Sequence, residues 1–226
     1  MYPDGKMKAL TLSYDDGVEQ DKHLIEILNR YNIKGTFNIN SGIQSAAGSF
    51  QKGDVLVRRM NVRGLPELYK DHEVAVHSLT HPHLENLDRE TVINELETDK
   101  LNIERIFKTN VYGMAYPFGT FNETVISAVR ECSLCYARGV QSTYSFDIPR
   151  NLLAYQPTMH HKDPKLMETA ETFLALKTAI PQVFYVWGHS YEFEADKNWH
   201  IMEDFCKLVS GRDDIYYAVN AQALLG

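Results

Sequence analysis

Cysteine is scarce in this sequence: Cys132, Cys135 and Cys206 are the only three in 226 residues. An odd number spread so thinly makes no disulfide framework and fits a reducing compartment. Basic runs are absent as well. Lys and Arg number 23 against 30 Asp and Glu, a formal charge of −7 with a sequence pI near 5.7, which argues against electrostatic capture of nucleic acid. No apolar stretch approaches the roughly 20 residues of a membrane helix, so no membrane partner is expected. The N-terminal Met1-Tyr2-Pro3-Asp4-Gly5-Lys6 carries no apolar signal core. The expected location is cytoplasmic unless the chain is exported by other means.

What is present is ordinary globular material, 44% hydrophobic and 23% charged, enough to bury a core without staples. No linker, internal repeat or low-complexity tract interrupts it, and residues 1–226 are expected to form a single domain. Short β-rich runs alternate with helical patterns. Lys8 to Tyr14 and Lys34 to Asn40 read as strands, and between them Leu24, Ile25, Ile27 and Leu28 make an apolar face at helical spacing. Further strands are expected at Glu73 to His77, Val111 to Tyr116, Leu134 to Arg138, Leu153 to Gln156, Val183 to Trp187 and Ile215 to Val219. Asp88 can cap a long helix with the buried stripe Val92, Leu96, Ile103 and Phe107, and Asp163-Pro164 reads as the start of another. Residues 41–63 are polar, glycine-punctuated and long for a connection, which marks a functional or mobile segment. About seven or eight β-α repeats in this length give an α/β fold, a distorted (β/α) barrel, with an open doubly wound sheet as the alternative.

In such a barrel, chemistry sits at the C-terminal ends of the strands. There the sequence places Tyr14-Asp15-Asp16-Gly17, His77-Ser78-Leu79-Thr80-His81, Ala115-Tyr116-Pro117-Phe118-Gly119 and Trp187-Gly188-His189. A turn at Gly17 lets both aspartates reach one site, one binding a metal while the other holds a water; the same pair also suits a plain turn. His77 and His81, four apart, lie on one side of a helical turn and can close on a metal at the ~2.0–2.1 Å that zinc prefers. Ser78 stands where a zincin protease needs Glu. Two histidines with a carboxylate, Asp16 being the candidate, make a facial set that leaves positions for water and substrate. His83 is read as a supporting or surface residue. Cys132 and Cys135 are read as small buried hydrophobes between a helix end and a strand, and His160-His161 as a solvated loop before a helix. Trp199 falls with Met202, Phe205 and Cys206 in a core pattern.

Taken in order, SYDDG at 13–17, HSLTH at 77–81, AYPFG at 115–119 and WGH at 187–189 resemble the successive motifs of the polysaccharide deacetylases, carbohydrate esterase family four with the NodB homology domain. The resemblance spans nearly the whole chain and implies a NodB-like barrel. It implies that Asp15 is the general base, that Asp16, His77 and His81 hold the metal, and that His189 is the general acid. The N–H of Phe118, the residue after the motif-three proline, corresponds to an oxyanion donor. Tyr14, Pro117 and Trp187 are the expected substrate contacts, Trp187 offering a sugar ring an apolar face. The implied metal is a divalent ion, foremost Zn2+, with Co2+ or Ni2+ able to use the same ligands. The implied partner is an N-acetylated sugar or oligosaccharide, deacetylated to acetate and a free amine.

Many members of the family carry an arginine two residues before the motif-three proline, where it stabilises the ionised base; here Ala115 takes that place. A subset shares this feature and has a Pro-Arg pair further on, which makes Arg150, after Pro149, the expected replacement. Asp147 is the candidate for tuning His189. Three rivals stand beside the deacetylase. A metal-assisted hydrolase of a small cyclic amide or imide uses the same fold. A glycosidase needs two carboxylates flanking a cleft and leaves the three histidines unexplained. A non-catalytic carbohydrate-binding protein would keep the pocket and lose turnover.

Overall fold

The computed structural model describes residues 1–226, and its organising element is the strand β1 (Lys8–Asp15), all eight residues of which are buried. One edge of β1 pairs in parallel with β9 (Gln182–Gly188) from Lys8 to Tyr14. The other edge is shared: β10 (Ile215–Tyr217) pairs with Lys8 to Leu10, and β2 (Gly35–Ile39) with Leu12 to Asp15. Outward from β2 follow β5 (Glu73–Val76), β6 (Gly113–Ala115) and β7 (Tyr136–Arg138), and outward from β9 lies β8 (Met159–His160), all parallel. Tyr155 exchanges backbone hydrogen bonds with Ala137 and Gly139 beside β7, while Met159 and His160 pair with Val186 and Trp187 of β9. The segment from Tyr155 to His160 thus reaches from one margin of the curled sheet to the other. The fold is a distorted (β/α) barrel.

Helices α1 (Asp21–Arg30), α2 (Leu65–Leu68), α3 (Arg89–Phe107), α4 (Glu123–Glu131), α5 (Leu166–Ala175), α6 (Ser190–Ala195), α7 (His200–Val209) and α8 (Asn220–Leu225) fill the connections. Strand side chains alternate between faces. On β1, Leu10, Leu12 and Tyr14 join the large core between sheet and helices. Ala9 joins an inner cluster with Tyr136, Tyr155, Tyr185 and Trp187, and Asp15 falls on that inner face. Asp88 caps α3 as expected, accepting from Thr91 N–H at 3.0 Å. Val92, Leu96 and Ile103 of its stripe are buried, with Phe107 packed at the margin. No helix is long and apolar enough to cross a membrane.

Three local expectations are corrected. Leu153 to Gln156 is not a strand: Asn151 Oδ1 accepts from Leu153 N–H at 3.2 Å and winds Leu152–Ala154 into a 3-10 turn, so pairing with β9 waits until Met159. Asp163 caps no helix; its Oδ1 accepts from Lys165 N–H at 2.9 Å in a turn, and α5 begins at Leu166. Within 41–63, β3 (Phe50–Lys52) and β4 (Val55–Val57) form an antiparallel hairpin. Its Val57 packs with Val18 and Tyr191. Cys132 is buried at the end of α4, but Cys135 just before β7 is exposed.

Candidate active site

The C-terminal ends of β1, β5, β7 and β9 deliver Asp15, His77, Arg138 and His189 to one side of the barrel. There a cavity of about 500 Å³ opens among Asp15, Asp16, His77, His81, Trp187 and His189. Asp16 has φ 87°, a left-handed conformation that breaks the strand's alternation. This is how adjacent aspartates come to face one cavity.

His77 and His81 do not share a helical turn. HSLTH is a loop, with Ser78 at φ 62° and His81 at φ 60°, and the two imidazole centroids are 4.7 Å apart. Such backbone at three positions of one site costs of order 1–3 kcal/mol each and persists where the surroundings over-determine it. Helix α3 supplies that support from two buried acids. Asp99 accepts from His77 N–H at 3.2 Å and Ser41 N–H at 2.7 Å, and Glu95 accepts from both Thr80 N–H and its hydroxyl at 2.8 and 2.7 Å. Just after β2, Asn40 donates to the carbonyls of His77 and Ser78.

The donor atoms of Asp16, His77 and His81 lie within 4.8 Å of one another. His77 Nδ1 meets the Ala115 carbonyl at 2.8 Å; it can only donate there, which leaves Nε2 as the lone-pair nitrogen. Burial holds both imidazoles below their ordinary value, His81 at about 4, so both are neutral near pH 7. Burial alone would protonate Asp16, but Arg59 Nη2 at 2.7 Å outweighs it and keeps the carboxyl below its ordinary value. Two neutral imidazoles and one carboxylate suit a divalent cation.

Asp15 sits beside this group, with Oδ2 3.9 Å from His77 Nε2 and 4.0 Å from His189 Nε2. Its Oδ1 accepts from Asn38 at 2.8 Å and from the guanidinium of Arg138. Burial works against ionisation, yet Arg138, with His77 and His189, lowers the Asp15 carboxyl to about 2. The cation on Asp15 is therefore Arg138, not Arg150, which is exposed at the surface. Arg138 is the register partner of Ala115 on the neighbouring strand.

His189 begins α6, and Glu192 three residues on accepts from its N–H and meets its Nδ1, both at 3.2 Å. Burial lowers the imidazole's affinity for a proton, but Glu192, Asp16 and Asp15 together raise it above the ordinary value. Asp147 lies away from His189, bonded to Ser145 and Gln182.

Of the expected substrate contacts, Trp187 lines the cavity, with the Arg138 guanidinium 4.6 Å over its ring. Tyr14 and Pro117 are buried away from it. Tyr14 faces the helix layer against His161 and Phe193, as strand alternation requires once Asp15 faces inward. Phe118, at φ 58° and 51% exposed, stacks on His83 at the rim. The solvated His160-His161 loop is also corrected. His160 belongs to β8, His161 is 1% exposed, and both approach Glu192. Arg138 ended an expected strand, and Glu192 stands at the third helical position after His189, so each carried a positional signal. Arg59 carried none, because it arrives on the 41–63 segment.

A family model described as polysaccharide deacetylase matches residues 3–137. A protein from Mycobacterium smegmatis assigned to the polysaccharide deacetylases shares the fold with a TM-score of 0.66 at 16% identity, over 100% of this chain and 91% of that one. A family 4 acetyl xylan esterase from Clostridium thermocellum, solved with a cobalt ion, gives 0.59 at 12% identity, over 96% and 90%. The Streptococcus pyogenes deacetylase PplD, solved with acetate, gives 0.50 at 19% identity, over 57% of this chain and 55% of that one. At these identities the likeness is one of fold. Comparison with curated protein sequences gives no match.

Proposed function

Because this chain belongs to the polysaccharide deacetylase family, we propose that its cavity hydrolyses the acetamide of an N-acetylated sugar or oligosaccharide, releasing acetate and a free amine. The carrying observation is one cavity in which the donors of Asp16, His77 and His81 converge beside an arginine-bound Asp15, with His189 facing Asp15.

Asp16, His77 Nε2 and His81 would hold a divalent metal, foremost zinc, with cobalt or nickel as substitutes; the cobalt in the Clostridium thermocellum esterase is consistent with such ligands. Bound there, the ion would polarise the acetyl carbonyl and acidify water. Asp15, kept ionised by Arg138, takes the proton of the attacking water at Oδ2. The Phe118 N–H would donate to the developing oxyanion, a contribution of about 3–4 kcal/mol where such donors are preorganised. His189 Nε2, across from Asp15, gives a proton to the nitrogen as the C–N bond breaks. Trp187 supplies an apolar wall for the sugar ring.

The test is acetate release from a short N-acetylglucosamine oligomer by chelator-stripped protein, before and after one equivalent of zinc is returned. Release only with metal supports the reading. No release with zinc, cobalt or nickel, coupled with opening of a small cyclic amide or with sugar binding alone, replaces it by the corresponding rival.

A further inference from the structure

The proposed mechanism leaves the largely buried carboxylate of Glu192 unused. On the side of His189 away from Asp15, Glu192 Oε2 gathers His189 N–H and Nδ1 at 3.2 Å and His160 Nε2 at 3.1 Å, while His161 Nε2 lies 3.5 Å away without a hydrogen bond. Burial would protonate this carboxylate, but the hydrogen bonds from His160 and His189 hold it well below the ordinary range.

The donor atoms of His160, His161 and Glu192 also lie within 4.8 Å of one another, as in a metal site. The tautomer of His160 decides between the two readings. Lys162 N–H donates to His160 Nδ1 at 3.1 Å, so in the neutral ring the hydrogen is on Nε2. Nε2 therefore presents an N–H to Glu192 and has no lone pair for a metal. His161 is wedged between Tyr14 and Phe193, and neither of its ring nitrogens has a hydrogen-bond partner. Gly188 makes room for it, since a Cβ there would meet His161 Nδ1 at 2.0 Å. Lys162 pairs with Asp196 at 2.6 Å and stays 4.0 Å from Glu192.

We infer that Glu192 and His160 are positioning residues for His189, Glu192 fixing the Nδ1–H tautomer that points Nε2 at Asp15, and His160 bracing Glu192 through its own Nε2–H. The inference rests on the reading of His189 as the proton donor to the leaving amine. A base with its tautomer fixed by a buried carboxylate loses most of its activity when that carboxylate becomes an amide. The brace is a feature of this chain: the carboxylate comes from the first turn of the helix that His189 opens, and the second imidazole comes from β8. Facing His189 are Asp15 and Asp16 from the end of β1, His160 from β8, Glu192 and Tyr191 from α6, and Trp187 preceding it.

The experiment compares Glu192→Gln, His160→Phe and His160→Gln as zinc-loaded proteins, reading the His189 ring nitrogens by NMR and the pH dependence of kcat. Activity needs protonated His189 and falls as pH rises through its pKa. Glu192→Gln removes the negative charge; the basic limb moves to lower pH, the Nδ1–H signal is lost, and kcat falls about 10²-fold or more. His160→Phe keeps the ring packed against Trp187 but removes a donor that competes for Glu192. The basic limb then moves the opposite way, to higher pH, with kcat down several-fold, KM unchanged and one equivalent of zinc retained. His160→Gln, which restores an N–H, returns the limb toward the parent. A limb and ring signal in His160→Phe identical to the parent overturn the inference, as does a parent that binds two equivalents of zinc and loses one in that variant. A parent that releases no acetate sinks the deacetylase reading alone, because the ring signal needs no turnover and still decides whether Glu192 and His160 fix His189.

Discussion

Arg138 holds Asp15 from the strand beside Ala115, its register partner. The fully buried guanidinium has Trp187 over one face and a carboxylate at its tip, and it keeps Asp15 charged where burial alone would neutralise it.

Removing that cation raises the pKa of Asp15, so the acidic limb of the pH–rate profile moves to higher pH. Arg138→Gln is expected to do this and to lower kcat about 10²-fold or more. Breaking a buried pair can also cost about 3–5 kcal/mol of stability, so Arg138→Lys, which keeps a positive charge, serves as the folded control with an intermediate limb. Arg150→Ala is expected to leave kcat and the limb unchanged. If Arg150→Ala moves the limb and Arg138→Gln does not, the assignment is reversed.

Tyr14→Phe is expected to leave KM for the sugar unchanged, since the ring faces the helix layer. Its hydroxyl is buried without a hydrogen-bond partner, and deleting an unsatisfied group is neutral or stabilising by up to ~1 kcal/mol. Thermal unfolding and KM measured together check this. A large rise in KM would return Tyr14 to the substrate.

Asp99 links stability to the site. Burial lifts its carboxyl to about 7 from an ordinary 3.8, so between those values the folded chain binds a proton that the unfolded chain has lost. Stability from this group is therefore present at low pH and lost as pH rises toward 7, on the order of 2 kcal/mol between pH 5 and pH 8. Asp21, also lifted to about 7 by burial, adds to the same slope. In chelator-stripped protein, Asp99→Asn is expected to flatten the fall of the urea midpoint over this range. Because Asn can accept from only one of Ser41 and His77, the variant is also expected to bind zinc more weakly. An unchanged slope contradicts the assignment.

Much of the barrel was legible in the sequence because parallel strands buried on both faces read as apolar runs, and because their C-terminal ends carried Asp15, His77 and His189. Distance in sequence hid the rest. The pairing of Arg138 with Asp15 depends on which strands become neighbours, and a nearby Pro-Arg pair drew attention to the exposed Arg150 instead. The spacing of His77 and His81 suggested a helical turn, whereas left-handed backbone at Ser78 and His81 brings them together. That conformation is held by Glu95 and Asp99 on α3 and has no local signature. Residues 41–63 were opaque for the same reason: their contribution, Arg59 on Asp16, appears only when the hairpin folds over β1.

The most direct test of the site is metal content and acetate release measured side by side on Asp15→Asn and Asp16→Asn. The geometry predicts that Asp15→Asn keeps about one equivalent of zinc while turnover falls about 10²–10⁴-fold, and that Asp16→Asn loses both. Zinc lost from Asp15→Asn but kept by Asp16→Asn, or full turnover in either variant, would contradict the division of labour between the two aspartates.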